Sequence, residues 1–168
     1  GLVRFNNERF TVITARDGLP SDHVGALALD RVGALWVGTS EGLAHFKDGR
    51  FTKVDVHGAL PSDNVRSLYW DRADNLWIGT DEGLSRFKDG RFTVEGVKDG
   101  LTRHQVLTIY QDRDDNIWVG TIGGGLFRFK DGRVARYTTK DGAPGDRVVA
   151  VYQDPEGDLW IGTVDGGL

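Results

Sequence analysis

The chain contains no cysteine, no apolar run long enough to cross a bilayer, and no excess of positive charge. Without cysteine there can be no disulfide, no thiolate zinc site and no cysteine nucleophile, although a cysteine-free chain can live in either redox compartment. No run approaches about 18 apolar residues, and no basic segment leads into an apolar one. This polypeptide is therefore expected neither to insert into a membrane nor to carry its own export signal. A formal net charge of -4 and a pI near 5.5 supply no basic field, so a grip on nucleic acid through its phosphates is not expected.

What the chain does have is repetition. Leu35-Trp36-Val37-Gly38-Thr39 returns as Leu76-Trp77-Ile78-Gly79-Thr80, Ile117-Trp118-Val119-Gly120-Thr121 and Leu159-Trp160-Ile161-Gly162-Thr163. A period of about 41 residues, with short apolar runs and glycine-rich turns in each copy, is the pattern of propeller blades. The 24 glycines recur at fixed places within the copies, which makes them turn residues rather than linker. The fold class is all-β, with four antiparallel strands per blade.

Each unit divides in the same way. Val24-Gly25-Ala26-Leu27-Ala28-Leu29 is apolar on both faces, as an innermost strand A buried on both sides would be. It ends at an aspartate in every copy (Asp30, Asp71, Asp112, Asp154), and a polar turn leads to the tryptophan strand B. A short loop then gives strand C (Gly42-Leu43-Ala44-His45-Phe46), and the Lys47-Asp48-Gly49-Arg50 hairpin delivers an outer strand D. The glycine after each tryptophan is expected to admit a neighbouring backbone or the indole. The tryptophans read as packing between blades, and a ring of stacked aromatics for a sugar is the alternative set aside.

Gly18-Leu19-Pro20-Ser21-Asp22-His23-Val24, then Asp30, then Leu35 to Thr39, Gly42-Leu43 and Phe46 together resemble the two-component regulator propeller repeat. The phrase recurs from Leu60 to Val65, more loosely from Gly100 to Val106, and from Gly142 to Val148, through Pro144. The resemblance implies the sensor portion of bacterial hybrid two-component proteins, placed in the periplasm or outside the cell. It also implies that several relatives recognise carbohydrate fragments. Such sensors usually carry enough repeats for one or two complete propellers, then a membrane helix and a signalling domain.

By repeat phase the chain is one propeller segment of four units, about 2–41, 42–82, 83–124 and 125–168. Gly1-Leu2 and Gly167-Leu168 align with Gly42-Leu43, so the chain starts and stops at one phase, as an excised or engineered segment would. Residues near 2–14 then supply strands C and D of one blade, and residues near 148–163 supply strands A and B of another. Closing within one chain gives a four-bladed ring with about 90° between blades, whereas two chains give eight blades about 45° apart, nearer the roughly 51° of a seven-bladed ring. A homodimeric eight-bladed ring is expected, with the four-bladed monomer as the alternative.

The loops leading into strand A and those between B and C vary while the frame stays constant. Candidate ligand-binding residues are Asp22, His23, Asp63, Asn64, His104, Gln105, Asp146 and Arg147, facing an oligosaccharide or another small polar ligand; unconstrained drift of surface loops explains the same variation. The second loop carries Ser40-Glu41, Asp81-Glu82, Ile122-Gly123 and Val164-Asp165. No cofactor or metal is expected, because His23, His45, His57 and His104 show no ligand spacing. Asp112-Arg113-Asp114-Asp115-Asn116 resembles a calcium loop but has Ile117 at its sixth place and Gly123 at its twelfth, and reads as a turn with solvated carboxylates. Gly123-Gly124-Gly125 has no helix behind it to complete a phosphate cradle. The leading reading is a non-catalytic, self-assembling propeller segment derived from a sensor. A ligand-binding sensor module is the second reading, and a propeller hydrolase or lyase is the third.

Overall fold

The computed structural model describes residues 1–143, 145–164 and 166. Pro144 of the last repeat phrase, Asp165 of the last B–C loop and the Gly167-Leu168 dipeptide lie outside the described residues. The first two strands, β1 (Leu2–Asn6) and β2 (Arg9–Ile13), pair only with each other. Three four-stranded sheets follow: β3 (Val24–Leu29) to β6 (Arg50–Lys53), β7 (Val65–Trp70) to β10 (Arg91–Glu95), and β11 (Gln105–Gln111) to β14 (Arg133–Tyr137). The last pair, β15 (Val148–Gln153) and β16 (Leu159–Thr163), is again two-stranded. The described strands thus form three complete blades flanked by two half-blades. Each complete blade takes strands A and B from one sequence unit and C and D from the next.

The hairpins follow from their turn residues. Asp48 and Gly49 both have positive φ (51° and 80°), as do Asp89 and Gly90 (48° and 77°) and Asp131 and Gly132 (49° and 74°). Two consecutive left-handed residues match the twist of the strands they join, and Asp-Gly accepts that conformation with little strain. The β1–β2 turn uses Asn7 and Glu8 instead (48° and 60°).

Apolar burial is organised as a row of blade-to-blade seams. Leu2 and Ile13 pack on Leu19, Val37 and Ala44, Trp36 and Leu43 pack on Leu60 and Val65, and Leu84 packs on Leu101 and Val106. The final seam joins Leu126 to Val148 and Val151. The glycine after each tryptophan lets the next blade's strand A come close: a methyl at Gly38 would lie 2.4 Å from Val65 Cγ1, and one at Gly79 would lie 2.5 Å from Val106 Cγ1. The approaching group is therefore a valine side chain, not an indole. At Gly120 the Val148 carbonyl oxygen is also within 2.9 Å of such a methyl.

Trp36 and Trp77 pack between blades as expected, whereas Trp160 of the last half-blade is 63% exposed. Trp36 meets Trp70 and Phe87 of the next blade with centroids 5.7 and 5.4 Å away, and Trp77 meets Phe129 at 5.5 Å. Each indole is also tied to its own blade. Trp77 Nε1 donates to Asp71 Oδ2 at 2.8 Å, and the same carboxylate accepts from Ala73 N–H, Asn75 N–H and Asn75 Nδ2 at 2.9, 2.8 and 2.6 Å. One residue type thereby closes the A–B turn and fixes the indole.

Strand A is not uniformly buried. β3 alternates half-buried and exposed residues, with Leu27 and Leu29 open to solvent. They face the side where only the β1–β2 half-blade stands, so two strands' worth of cover is missing there. Replacing Asp71 by alanine should lower unfolding stability by about 3 kcal/mol, because a buried indole N–H loses a charged acceptor and the turn loses its cap. Trp77→Phe should cost only about 1 kcal/mol of hydrogen bonding beyond its packing loss. Urea unfolding midpoints of the two variants check this order.

Candidate functional site

The loops leading into strand A and the B–C loops lie together on one rim, blade by blade. His23 C=O accepts from Ser40 N–H at 2.9 Å, Asn64 C=O from Asp81 N–H at 3.1 Å, and Arg147 C=O from Val164 N–H at 3.0 Å. Gln105 is paired with Ile122 across β11 and β12 in the equivalent place. Neighbouring blades are stitched along the same rim. Gly42 N–H donates to Asp63 C=O at 2.8 Å, Arg103 N–H to Glu82 C=O at 3.0 Å, and Gly123 and Gly125 N–H both to Asp146 C=O at 3.0 Å.

The candidate side chains divide into two groups. Asp22 and Asp146 serve their own loops: Asp22 Oδ1 accepts from Ala15 N–H at 2.7 Å, and Asp146 accepts from Thr139 N–H at 2.9 Å and Thr139 Oγ1 at 3.1 Å. These contacts anchor the 3-10 turns at Ala15–Asp17 and Thr139–Asp141. His104 lies against the glycine loop, where a methyl on Gly124 would come within 2.8 Å of its Cδ2. The glycine N–H groups at 123 and 125 are spent on Asp146, which removes them as a phosphate cradle. His23, Asp63 and Arg147 are exposed on the rim, while Asn64 and Gln105 are half-buried.

One cluster on this rim includes a residue the sequence did not flag. Arg66, in mid-strand, forks onto Asp81 at 2.7 and 3.2 Å, and Asn64 Nδ2 donates to the same carboxylate at 2.7 Å. The Asp81 hydrogen bond holds the Arg66 guanidinium above its ordinary pKa. Arg66 stands where the other copies carry Gly25, Leu107 and Val149, and that was the available signal.

The Asp112 turn differs from its expectation. Asp112 is buried rather than solvated, and it accepts from Trp118 Nε1 at 2.7 Å, Asn116 Nδ2 at 2.6 Å and two backbone N–H groups. Burial pushes this carboxyl up, but the donors from Trp118, Asn116 and the backbone outweigh it and hold the pKa below the usual range. Its lone pairs are filled by protein donors, which leaves it a structural group. Among the described residues, no group of three or more His, Asp or Glu is placed to hold a metal ion, and no helix is long and apolar enough to cross a membrane.

Four-stranded antiparallel blades stacked through their faces, with varied polar loops on one rim, define a β-propeller arc. The two component regulator propeller model matches residues 18–41, 59–82, 100–123 and 142–165, more than half of the chain. The chain belongs to that family.

An extracellular domain assigned to a hybrid two component system of B. thetaiotaomicron is 30% identical over 86% of this chain, with a TM-score of 0.73. An extracellular domain assigned to a one component system of the same organism is 20% identical over 95% of the chain, with a TM-score of 0.77. The chain spans 20% and 23% of the length of these two domains. Virginiamycin B lyase from Staphylococcus aureus is 15% identical, covers 83% of this chain and 48% of its own, and has a TM-score of 0.65. The last two likenesses, at 20% and 15% identity, share the fold alone. No curated protein sequence matches the chain.

The Asp112 geometry predicts an acid dependence. A depressed native pKa contributes stability that is fully present above the unfolded value of about 3.9 and is lost as pH falls through the native value. Unfolding stability should hold from neutrality to about pH 5 and fall below about pH 4. Asp112→Asn should be less stable at neutral pH and show a shallower acid decline. Urea unfolding at a series of pH values measures both slopes.

Proposed function

We propose that this polypeptide is a non-catalytic propeller segment of an extracytoplasmic sensor, and that it self-assembles by completing blades between two chains. The carrying observation is the complementarity of the half-blades: β1–β2 supplies strands C and D, and β15–β16 supplies strands A and B. Large apolar residues are exposed at these two ends, including Phe5 (61%), Phe10 (74%) and Trp160 (63%), whereas Trp36 and Trp77 are 6% and 5% exposed. Open strand edges beside apolar faces drive association. In a longer chain, flanking repeats would take the same places by the same pairing.

Two chains close the ring with about 45° between blades, against about 90° for one chain alone. A two-fold axis relates the copies, so both junctions are identical. The family and its sensor relatives support the periplasm or the cell exterior as the location. They also favour a binding or scaffold role over catalysis. Light scattering across a dilution series should give twice the 18.5 kDa chain mass, and a stable single-chain mass would overturn the two-chain ring.

Ligand binding is a second reading, favoured by the rim itself: His23, Asn64, Gln105 and Arg147 occupy equivalent places on a backbone fixed by hydrogen bonds. A small polar ligand such as an oligosaccharide, bound only by the folded form, should raise the melting temperature with saturation. His23→Ala with Arg147→Ala should abolish that rise, read against the double variant's own unliganded melting temperature. An unchanged rise in the double variant would move the ligand off this rim.

A further inference from the structure

The self-assembly reading leaves the pairing of the junction open, and the three complete blades specify it. Strand B pairs with strand C in one register throughout: Trp36 lies opposite His45, Trp77 opposite Arg86 and Trp118 opposite Arg128. One residue on, Val37, Ile78 and Val119 lie opposite Ala44, Ser85 and Phe127, and two residues on, Gly38 lies opposite Leu43, Gly79 opposite Leu84 and Gly120 opposite Leu126. Gly1 occupies the place of Gly42, and its amino group donates to Asp22 C=O as Gly42 N–H donates to Asp63 C=O. The β1–β2 hairpin is therefore already seated as strands C and D of a blade preceding β3.

We infer that β16 of one copy pairs with β1 of a second copy of this chain, with Trp160 opposite Arg4, Ile161 opposite Val3 and Gly162 opposite Leu2. Resting on the ring reading, this assignment puts Leu159 opposite Phe5 and Thr163 opposite Gly1. It places a guanidinium over the last tryptophan, as Arg86 lies 5.6 Å from the Trp77 ring centroid and Arg128 5.8 Å from that of Trp118. Trp160 is pre-set for this, since its Nε1 already donates to Asp154 Oδ2 at 2.6 Å.

Both docking grooves exist in the single chain. A groove of about 620 Å³ lies between β1–β2 and the first complete blade, lined by Leu2, Val3, Leu27, Leu35 and Phe46 among others. It is where the partner's β15 and β16 enter, bringing the partner's Trp160 onto Leu29 and Phe46, the counterparts of Trp70 and Phe87 around Trp36. A recess of about 330 Å³ beside the last half-blade, lined by Leu126, Tyr137, Ala143, Leu159 and Ile161 among others, receives the partner's Val3.

The glycine code fits as well. Gly38, Gly79 and Gly120 each face the first valine of the next strand A, but among the described residues the three atoms nearest a methyl at Gly162 all belong to Ala150, at 3.3 to 3.9 Å. In the paired ring the partner's Val24 fills that space.

The turns agree with this seam. Arg31 reaches Asp74 at 3.6 Å and Arg72 reaches Asp115 at 2.8 Å, linking successive A–B turns. In the last unit the arginine place holds Pro155, and in the first unit the aspartate place holds Gly33. Where the last half-blade meets the partner's first complete blade, both members of the latch are missing together. No arginine is stranded there, and sheet pairing with apolar packing carries the junction.

The absence of native cysteine makes a direct test possible. Val3→Cys and Ile161→Cys are made as separate variants, mixed, and oxidised; a covalent two-chain species should form at least tenfold more than from Phe5→Cys mixed with Ile161→Cys. Cysteines two residues out of register stand too far apart for a disulfide. Intrachain closure cannot link separate chains, so it leaves the mixture uncrosslinked.

A doubled mass by light scattering, with the 5–161 mixture crosslinking as well as or better than the 3–161 mixture, would overturn this register while leaving the ring standing. A single-chain mass with no crosslink would overturn both. Ile161→Asp, at a position already 39% exposed in the single chain, provides an independent check. It should convert the two-chain mass to the single-chain mass while the circular dichroism spectrum is retained, and an unchanged two-chain mass would overturn the assignment.

Discussion

The structure depends on one hydrogen bond repeated along the chain, from a strand-B indole to the aspartate that ends strand A. It spans 2.6 to 2.8 Å in two complete blades and the last half-blade, and 3.4 Å at Trp36 and Asp30. The same carboxylate gathers the N–H groups of its turn, so a single side chain sets the turn, the angle between strands A and B, and the attitude of a large ring. Burying an indole without an acceptor for its N–H would cost free energy that a marginally stable fold can ill absorb. With the acceptor in place the ring becomes a rigid face against which the next blade packs.

The first blade shows what changes when the surroundings of that bond change. His45 stands where Arg86 and Arg128 stand in the other blades, stacked on Trp36 with centroids 4.7 Å apart. Its Nε2 is 3.8 Å from Asp30 Oδ2 and has no hydrogen-bond partner. A planar guanidinium can cover an indole while keeping its donors in water, whereas an imidazole pressed on the ring gives up that reach. The long Trp36 bond and the idle imidazole nitrogen occur together in this one blade.

Stability in this arrangement is distributed along seams, three of which set a strand-B glycine of one blade against the first valine of the next. A repeat array of this kind is nearly one-dimensional, with each unit contacting only its neighbours. The consequence falls on the ends, where a half-blade has neither its missing strands nor the neighbour beyond them. That is why Leu27, Leu29 and Trp160, which occupy core positions by repeat phase, are exposed in the single chain, and why the apolar pattern of strand A predicted burial on both faces that β3 lacks.

Much of this was legible in the sequence because repeats act as their own alignment. The tryptophan phrase, the Asp-Gly hairpins and the phase offset fixed strand number, turn type and the two complementary half-blades, since local propensity and period two or four-strand spacing are properties of short segments. The rim was legible as a place, because variable loops on a constant frame must share one edge. What each rim residue does was decided only by tertiary structure: Asp22 and Asp146 hold their own loops, Asn64 joins Arg66 and Asp81, and Asp112 is buried rather than solvated. A sequence lists a carboxylate's neighbours along the chain, but whether water or N–H groups fill its lone pairs depends on which segments fold over it in space.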